Sequence, residues 1–390
     1  MTDLAPTPAG LETARTEVPF FRHELGEAEL ASVAEALRGA ILTTGETVER
    51  FEQGFAAYVG RSHCVALTSC TGALHLSLAA LGIGPGDEVI TTPMTFIASA
   101  TAIEQAGATP IFVDVDPATG NIDPDRIEAA VSPRTRAILP VHLYGQMVDM
   151  RRLRDIADAR GLAIVEDSAH CVEGSRDGYR PGQIGDTACF SFYATKSLTS
   201  GEGGALVTDD PALAERVRLL RQHGMNKTAA SRHKHGYAHW DMPIFGWKYN
   251  MDNIQAALLL PQLGRIDRNL EARRSLAGRY REQLAPIGEV TLPTMLPGVG
   301  HAEHLFTIWV DPDRRDPLLA FLKERGIAAM VNYRAIHLLT YFQDRFGLKR
   351  GSFPVAERIG DSTLSLPLYP SMPTEHVDIV TRAIADFFVS

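Results

Sequence analysis

Cysteine is scarce in this sequence, with four among 390 residues: Cys64, Cys70, Cys171 and Cys189. None forms a CxxC pair or stands at zinc-ligand spacing from a histidine, so no metal site is expected and the thiols read as reduced ones in a cytoplasmic protein. Basic charge is also in short supply. Thirty-eight Lys and Arg face 47 Asp and Glu, a formal charge of -9, which lacks the cationic excess of a phosphate-backbone binder and makes nucleic acid an unexpected partner. No uncharged apolar run approaches the length of a membrane span. Asp3, Glu12, Arg15 and Glu17 interrupt the N-terminal stretch, so it has no apolar centre of a secretory signal. Internal repeats and low-complexity tracts are missing too. What is left, 45% hydrophobic and 22% charged, is a chain long enough for two domains with a substantial core.

From Cys64 onward, short β-rich apolar runs alternate with helical patterns, the order that winds into a mostly parallel sheet covered by helices. The runs 64–67, 88–91, 109–115, 137–141, 163–167, 188–193 and 204–208 are the expected strands. Between them, Met150, Leu153, Ile156 and Ala157 recur at helical spacing over 150–160. A long helical stretch follows from about Asp252 through Tyr280, and Pro293, Pro297, Gly298 and Gly300 then break the pattern. The remainder reads as strand 304–310, helix 317–325 closed by Gly326, a further strand near 328–332, and a final helix 374–388. The expectation is an α/β chain with a large domain over 1–260, including an N-terminal arm, and a smaller α+β domain over 261–390.

Three segments carry chemistry. The run Thr68-Ser69-Cys70-Thr71-Gly72 opens a helix with Leu74, Leu78 and Leu81 on one face. Small hydroxyl residues there cap free N–H groups, and the same N–H groups with the helix dipole suit a phosphate. The run 163–170 is an apolar strand ending in adjacent carboxylates, Glu166 and Asp167, at the sheet edge where ligands of open α/β sheets bind. A buried carboxylate there needs a cation or a donor to stay ionised. Lys196 follows a strand and precedes Gly201-Glu202-Gly203-Gly204, so its amine falls near the same edge, and a buried lysine is the residue type that forms Schiff bases with carbonyl compounds. Singly, each has a plain structural reading: a cap, a core acid, a surface lysine. Together and in this order they match the three needs of pyridoxal 5'-phosphate, which are donors for its phosphate, an acid for its ring nitrogen and an amine for its aldehyde.

The stretches TSCTGALHLSLAALGIGPGDEVI, TTPMTFIASATAI, PVHLYGQ, IVEDSAH, FSFYATKSLTSGEGGALVT, GWKYNMDNIQAAL and SLPLYPSM give the chain its resemblance to the DegT/StrS-type nucleotide-sugar aminotransferases. These are pyridoxal-phosphate enzymes of the aspartate-aminotransferase fold, fold type I, and the resemblance runs from about Pro19 to the C-terminus. It implies a large domain with a mostly parallel mixed sheet between helices. Lys196 is implied as the Schiff-base lysine and proton carrier, and Asp167 as the partner of the pyridine nitrogen. His170 would lie near the ring hydroxyl, Phe96 on the ring face, and Thr71, Gly72 and Ser191 at the phosphate. Core packing is the plain alternative for Phe96.

The resemblance further implies a homodimer in which the segment Trp247–Met251 of one subunit completes the phosphate site of the other. Asn250 is the favoured cross-subunit donor, with Lys248 the alternative, since many members read Asn-Tyr-Arg where this chain has Lys248-Tyr249-Asn250. Cys70 stands where a glycine is common. Lys248, Arg334 and His337 are candidates for substrate contact, the last two equally readable as structural. His223, His233, His235 and His239 crowd one segment without a carboxylate or cysteine at ligand spacing, so a polar loop, able with Arg232 and Lys234 to meet a diphosphate, is favoured over a metal site.

The implied activity moves an amino group from an amino acid, L-glutamate by resemblance, to a nucleotide-linked keto sugar, with a 4-keto sugar favoured. An aminocyclitol or 3-keto-sugar aminotransferase stays open. So does a relative that binds sugar without catalysis, although such a protein has little reason to keep the acid, the lysine and the aromatic together. The related sugar 3-dehydratases carry His at the Schiff-base position, and Lys196 argues against them.

Overall fold

The computed structural model describes residues 17–227 and 239–389. Its central sheet has seven strands: β1 (His63–Leu67), β2 (Glu88–Thr91), β3 (Thr109–Phe112), β4 (Thr135–Ile138), β5 (Ala163–Asp167), β6 (Thr187–Ser191) and β7 (Gly204–Thr208). They lie in the order β1-β7-β6-β5-β4-β2-β3. Only β7 runs against its neighbours, pairing antiparallel with both β1 and β6, and the other pairs are parallel. The strands are apolar along nearly their whole length because helices cover both faces, as buried parallel sheets require. The third and fourth strands differ from expectation: the ladder of β3 stops at Phe112, and β4 starts at Thr135.

Helices α1 (Glu27–Arg38) and α2 (Glu46–Val59) precede the sheet, and α3 (Cys70–Ala80) follows β1. Nearly every side chain of α3 is buried, so the helix is apolar around its whole circumference, the pattern of a helix inside the core rather than on it. Helices α4 (Ala98–Gln105), α5 (Met150–Arg160) and α6 (Pro211–Leu220) link later strands. On one sheet face Phe51 and Phe55 of α2 meet Phe190 and Phe192 edge to face at 5.1–5.4 Å, geometry that aromatic quadrupoles favour.

The long helical stretch expected from Asp252 is two helices, α7 (Asn253–Leu263) and α8 (Ile266–Leu284), with Gly264 ending the first. Asp252 caps α7 through Gln255 N–H, and Gln255 returns the bond, a reciprocal capping box. The expected division at 260/261 falls inside α7. Beyond α8, strands β8 (Phe306–Trp309) and β9 (Thr363–Leu366) pair antiparallel. Around them pack α9 (Pro312–Glu324), α10 (Pro354–Ser362) and α11 (Thr374–Val389). Helix α9 starts at Pro312, five residues before the expected Pro317. Asp311 is the side chain that caps it, taking Asp313 N–H at 2.9 Å, so the first proline rather than the second marks the N-terminus. Among the described residues no helix is long and apolar enough to cross a membrane.

Candidate active site

Sheet topology gathers the chemistry. The strands β1, β6, β5, β4 and β2 are mutually parallel, so their C-terminal ends share one edge, and antiparallel β7 starts there. Asp167 ends β5 opposite Cys189 of β6, and Ser191 ends β6 opposite Gly204. Leu67, ending β1, also faces Gly204. Lys196 follows Ser191 by one turn, its N–H donating to Tyr193 O at 2.9 Å. The loop after it is tied to α7 by Gln262, whose Oε1 accepts Thr199 N–H at 3.0 Å and whose Nε2 donates to Thr199 O at 2.7 Å.

The two adjacent carboxylates separate because strand side chains alternate. Glu166 points into the core, where it accepts N–H groups of Gly182 and Gly185 at 2.9 and 2.8 Å and meets His142 Nε2 at 2.8 Å. His142 Nδ1 accepts Val148 N–H, which leaves the proton on Nε2 to donate to Glu166. Asp167 points to the edge and is 5% exposed. Ser99 of α4 donates to its Oδ2 at 2.7 Å, and Ala169 N–H donates to Oδ1 at 3.1 Å. Thr95 Oγ1 lies 2.8 Å from Ser99 Oγ; with the Ser99 proton given to Asp167, Thr95 is the donor. Burial raises the Asp167 pKa, against the pull of Ser99, Ala169, Lys196 and His142. Among the described residues no side-chain cation pairs with it.

Burial lowers the Lys196 amine to about 8, while the Asp167 charge and Cys70 pull it back up. Its Nζ lies 3.3 Å from His304 Nε2. His304 packs against His170 at 4.6 Å between ring centroids. His170 takes Tyr144 N–H on Nδ1 at 3.3 Å and holds Tyr333 Oη at 3.0 Å on Nε2. Burial and the Lys196 charge push both histidines well below their usual range, so both rings are neutral near pH 7. Phe96 is 54% exposed, its ring 5.8 Å from that of Tyr333, so it is not a core residue and stands free at the edge.

At the other end of the site Ser69 caps α3, its Oγ accepting Gly72 N–H at 3.0 Å. The N–H groups of Cys70 and Thr71 have no acceptor among the described residues, which leaves a donor pair at a helix N-terminus. Two glycines permit this arrangement. A Cβ on Gly204 would strike the backbone of Ser69 and Cys70, and one on Gly72 would come within 3.2 Å of Tyr249. Cys70 itself is buried and its thiol is pushed up by burial.

The segment Trp247–Asn250 crosses from the end of α6 to the end of β1: Trp247 and Tyr249 N–H donate to Leu220 and Arg221 O, and Thr68 N–H donates to Tyr249 O. Asn250 is buried with its Nδ2 given to Thr44 at 2.8 Å and Thr43 at 3.3 Å in its own chain, whereas Lys248 is exposed. Arg334, next to Tyr333, is exposed with no ion pair among the described residues. His337 does not reach the site. It is fully buried, its Nε2 sits 2.9 Å from Glu357, and Phe353 stands edge-on to its ring, a fastening of α10 rather than a substrate contact. Arg232, His233, Lys234 and His235 lie outside the described residues.

Three residues that sequence reasoning passed over belong to the site: Ser99, Tyr333 and His304. Ser99 carried a signal, a hydroxyl in the segment with Phe96. His304 and Tyr333 approach from the far C-terminal part of the chain, and nothing local marks them.

The residues present fit pyridoxal 5'-phosphate. A buried carboxylate without a counter-cation, a lysine whose pKa is lowered to about 8, two unpaired helix N–H groups and a free aromatic face are the complements of its ring nitrogen, aldehyde, phosphate and ring plane.

A model of the DegT/DnrJ/EryC1/StrS aminotransferase family matches residues 23–385. The spore coat polysaccharide biosynthesis protein SpsC of Bacillus subtilis (strain 168) is 44% identical over 375 residues, 95% of this chain and 96% of SpsC. Among solved structures, DesV of S. venezuelae matches with TM-score 0.88 at 38% identity, covering 95% of this chain and 98% of DesV. Spr1654 of Streptococcus pneumoniae, solved in PLP and PMP forms, matches in the PMP form with TM-score 0.90 at 30% identity over 95% and 98% of the two chains. Helicobacter pylori PseC, an aminotransferase involved in the biosynthesis of pseudoaminic acid, matches with TM-score 0.89 at 27% identity over 96% and 99%.

Proposed function

This chain belongs to the DegT/DnrJ/EryC1/StrS aminotransferase family of pyridoxal-phosphate enzymes, and from that premise we propose that it transfers the amino group of L-glutamate to the ketone of a nucleotide-linked keto sugar, a 4-keto sugar first. The carrying observation is the placement of Lys196 and Asp167 in one buried site without an ion pair between them. The tie of SpsC to polysaccharide biosynthesis and of PseC to pseudoaminic acid supports a sugar acceptor.

When bound, pyridoxal phosphate supplies a carbonyl that takes up the amino group and an electron-withdrawing ring that makes the donor Cα–H acidic. Asp167 would hold the ring nitrogen, and its raised pKa would fall back once a buried cation met it. Lys196 is both anchor and proton carrier: released as a neutral amine, Nζ takes the Cα proton and later returns a proton on the path to the new amine. Burial keeps that amine neutral enough to act near pH 7. Ser99 and Ala169 hold Asp167 still, and the α3 N-terminus with Ser191 would hold the phosphate, so that the breaking bond would keep one orientation to the ring. Keto acid leaves before sugar enters, which gives ping-pong kinetics.

The working unit in this reading is a cytoplasmic homodimer. Exposed Lys248 is the residue that reaches the partner's phosphate site, because the Asn250 amide is already given to Thr43 and Thr44.

The test mixes the protein with pyridoxal phosphate, glutamate and a panel of nucleotide keto sugars and weighs the products. Aminated 4-keto sugar is the expected result. Amination of a 3-keto sugar or a cyclitol ketone would move the acceptor. A wild type that stays colourless with the cofactor, as Lys196→Ala should, would leave only a binding protein.

A further inference from the structure

The Lys196 side chain is half-buried, and in the proposed reaction its amine gains and loses a proton in every cycle. Its neighbour His304 offers the route. One ring nitrogen, Nε2, lies 3.3 Å from Nζ. The other, Nδ1, has no hydrogen-bond partner among the described residues. The same ring lines a cavity that also touches Lys196, Arg273 and Tyr369 and reaches exposed Arg22 and His23 of the N-terminal segment. We propose that His304 is the proton relay of Lys196, linking its amine to solvent in the cavity that opens beside Arg22 and His23. The inference rests on the role of Lys196 given above and extends it to a second residue.

In the outward direction the Nζ–H bond of the ammonium breaks as an Nε2–H bond forms, and the Nδ1–H proton passes to a water in the cavity. The amine is left neutral, the ring stays neutral with its proton moved to the other nitrogen, and the water becomes hydronium; no electrons change owner. The inward direction is the reverse. A relay of this kind needs a ring that starts neutral, and the surroundings of His304 provide one: its burial above all, and then the charges of Lys196 and Arg273, disfavour a charge on it. Arg273 is itself neutralised by Glu173 at 2.5 Å, and Glu303 is held by Arg281 at 2.7 Å, so neither acid is free to capture the imidazolium.

Two measurements test this. In cofactor-free protein labelled with 15N-histidine, the His304 ring, identified by its loss in His304→Gln, should carry its proton on Nδ1 at pH 7, where the ammonium of Lys196 faces Nε2. A proton on Nε2 at that pH overturns the relay. In the loaded enzyme, the half-reaction with glutamate and no acceptor should slow about 100-fold in both His304→Gln and His304→Ala, the lower end of general acid–base contributions. Added imidazole should restore His304→Ala about tenfold and leave His304→Gln, whose cavity is filled, unmoved. Wild-type rates in either variant, or no rescue, sink the proposal; a variant that misfolds leaves the wild-type tautomer to decide it. If the wild type itself takes no amino group from any donor, the functional reading falls, while the tautomer still reports on the relay.

Discussion

Lys196 and Asp167 occupy one buried site, each within the other's electrostatic reach, and form no ion pair. Two opposite charges left unpaired inside a protein are costly unless something is meant to stand between them. Burial pushes the acid up and the amine down, so both drift toward neutrality in the cofactor-free protein, and a cationic ring nitrogen beside Asp167 would reverse the first shift.

The Lys196 amine should titrate near pH 8. The Asp167 charge raises that value and burial lowers it, so Asp167→Asn leaves burial unopposed and moves the midpoint down. Competitive acetylation of cofactor-free protein across pH, read at the Lys196 peptide by mass spectrometry, measures both. An unchanged midpoint in the variant would mean that the two groups do not share a site.

Asp167→Asn should still bind pyridoxal phosphate and colour, since Lys196 and the α3 N-terminus are intact, but the glutamate half-reaction should fall by two to four orders of magnitude. That range corresponds to the roughly 3–5 kcal/mol lost when one partner of a buried charge pair is removed. Stopped-flow absorbance reads it. A loss under tenfold would show that Asp167 does not face the ring nitrogen.

Glu166, one residue away, should behave in the opposite manner. Its two backbone donors and His142 make it a lock between β5 and the loop 180–186. Glu166→Ala strands those donors in the core and should cost about 3–5 kcal/mol of stability, seen as a lower midpoint in urea. Whatever fraction remains folded should keep the wild-type half-reaction rate per site.

Much of the sheet was legible because strands buried on both faces read as apolar runs: β2, β5 and β7 fall where the sequence puts them. Lys196 and Asp167 were legible because strand ends and glycine turns are local. The helical run after Asp252 misled because Gly264, a single residue, ends a helix without disturbing the apolar period. For His337 the sequence left substrate contact and scaffold equally open, because a polar residue beside Tyr333 and Arg334 gives no hint that its ring is buried against Glu357. His304 was illegible for the converse reason. Its contact with Lys196 is made across the fold, 108 positions apart, and no spacing rule reports such a contact.

Gly204→Ala tests how the phosphate end is built. The glycine has no special φ; its need is steric, because a Cβ would meet the Ser69 and Cys70 backbone. The expected cost is about 1–3 kcal/mol, as for other overpacked core positions. A weakened cofactor affinity should accompany it, because the first turn of α3 must move out. Equilibrium dialysis of pyridoxal phosphate against the variant reads the second effect, and unchanged affinity would place the phosphate elsewhere.

Arg334 and His337 lie three residues apart and should divide cleanly into substrate and scaffold. Arg334 is an exposed guanidinium beside Tyr333 without an ion pair among the described residues, suited to an anionic group such as the diphosphate of a nucleotide sugar. Arg334→Ala should raise KM for the acceptor about tenfold, equivalent to one lost charge-assisted hydrogen bond, with the glutamate half-reaction and Tm unchanged. His337→Phe removes a buried partner of Glu357, which keeps its bonds from Gly351 and Phe353 N–H. It should lower stability by about 1–3 kcal/mol and leave KM alone. A KM effect at His337 without loss of stability would mean that its burial against Glu357 is relieved when the acceptor binds, and would return it to the substrate side.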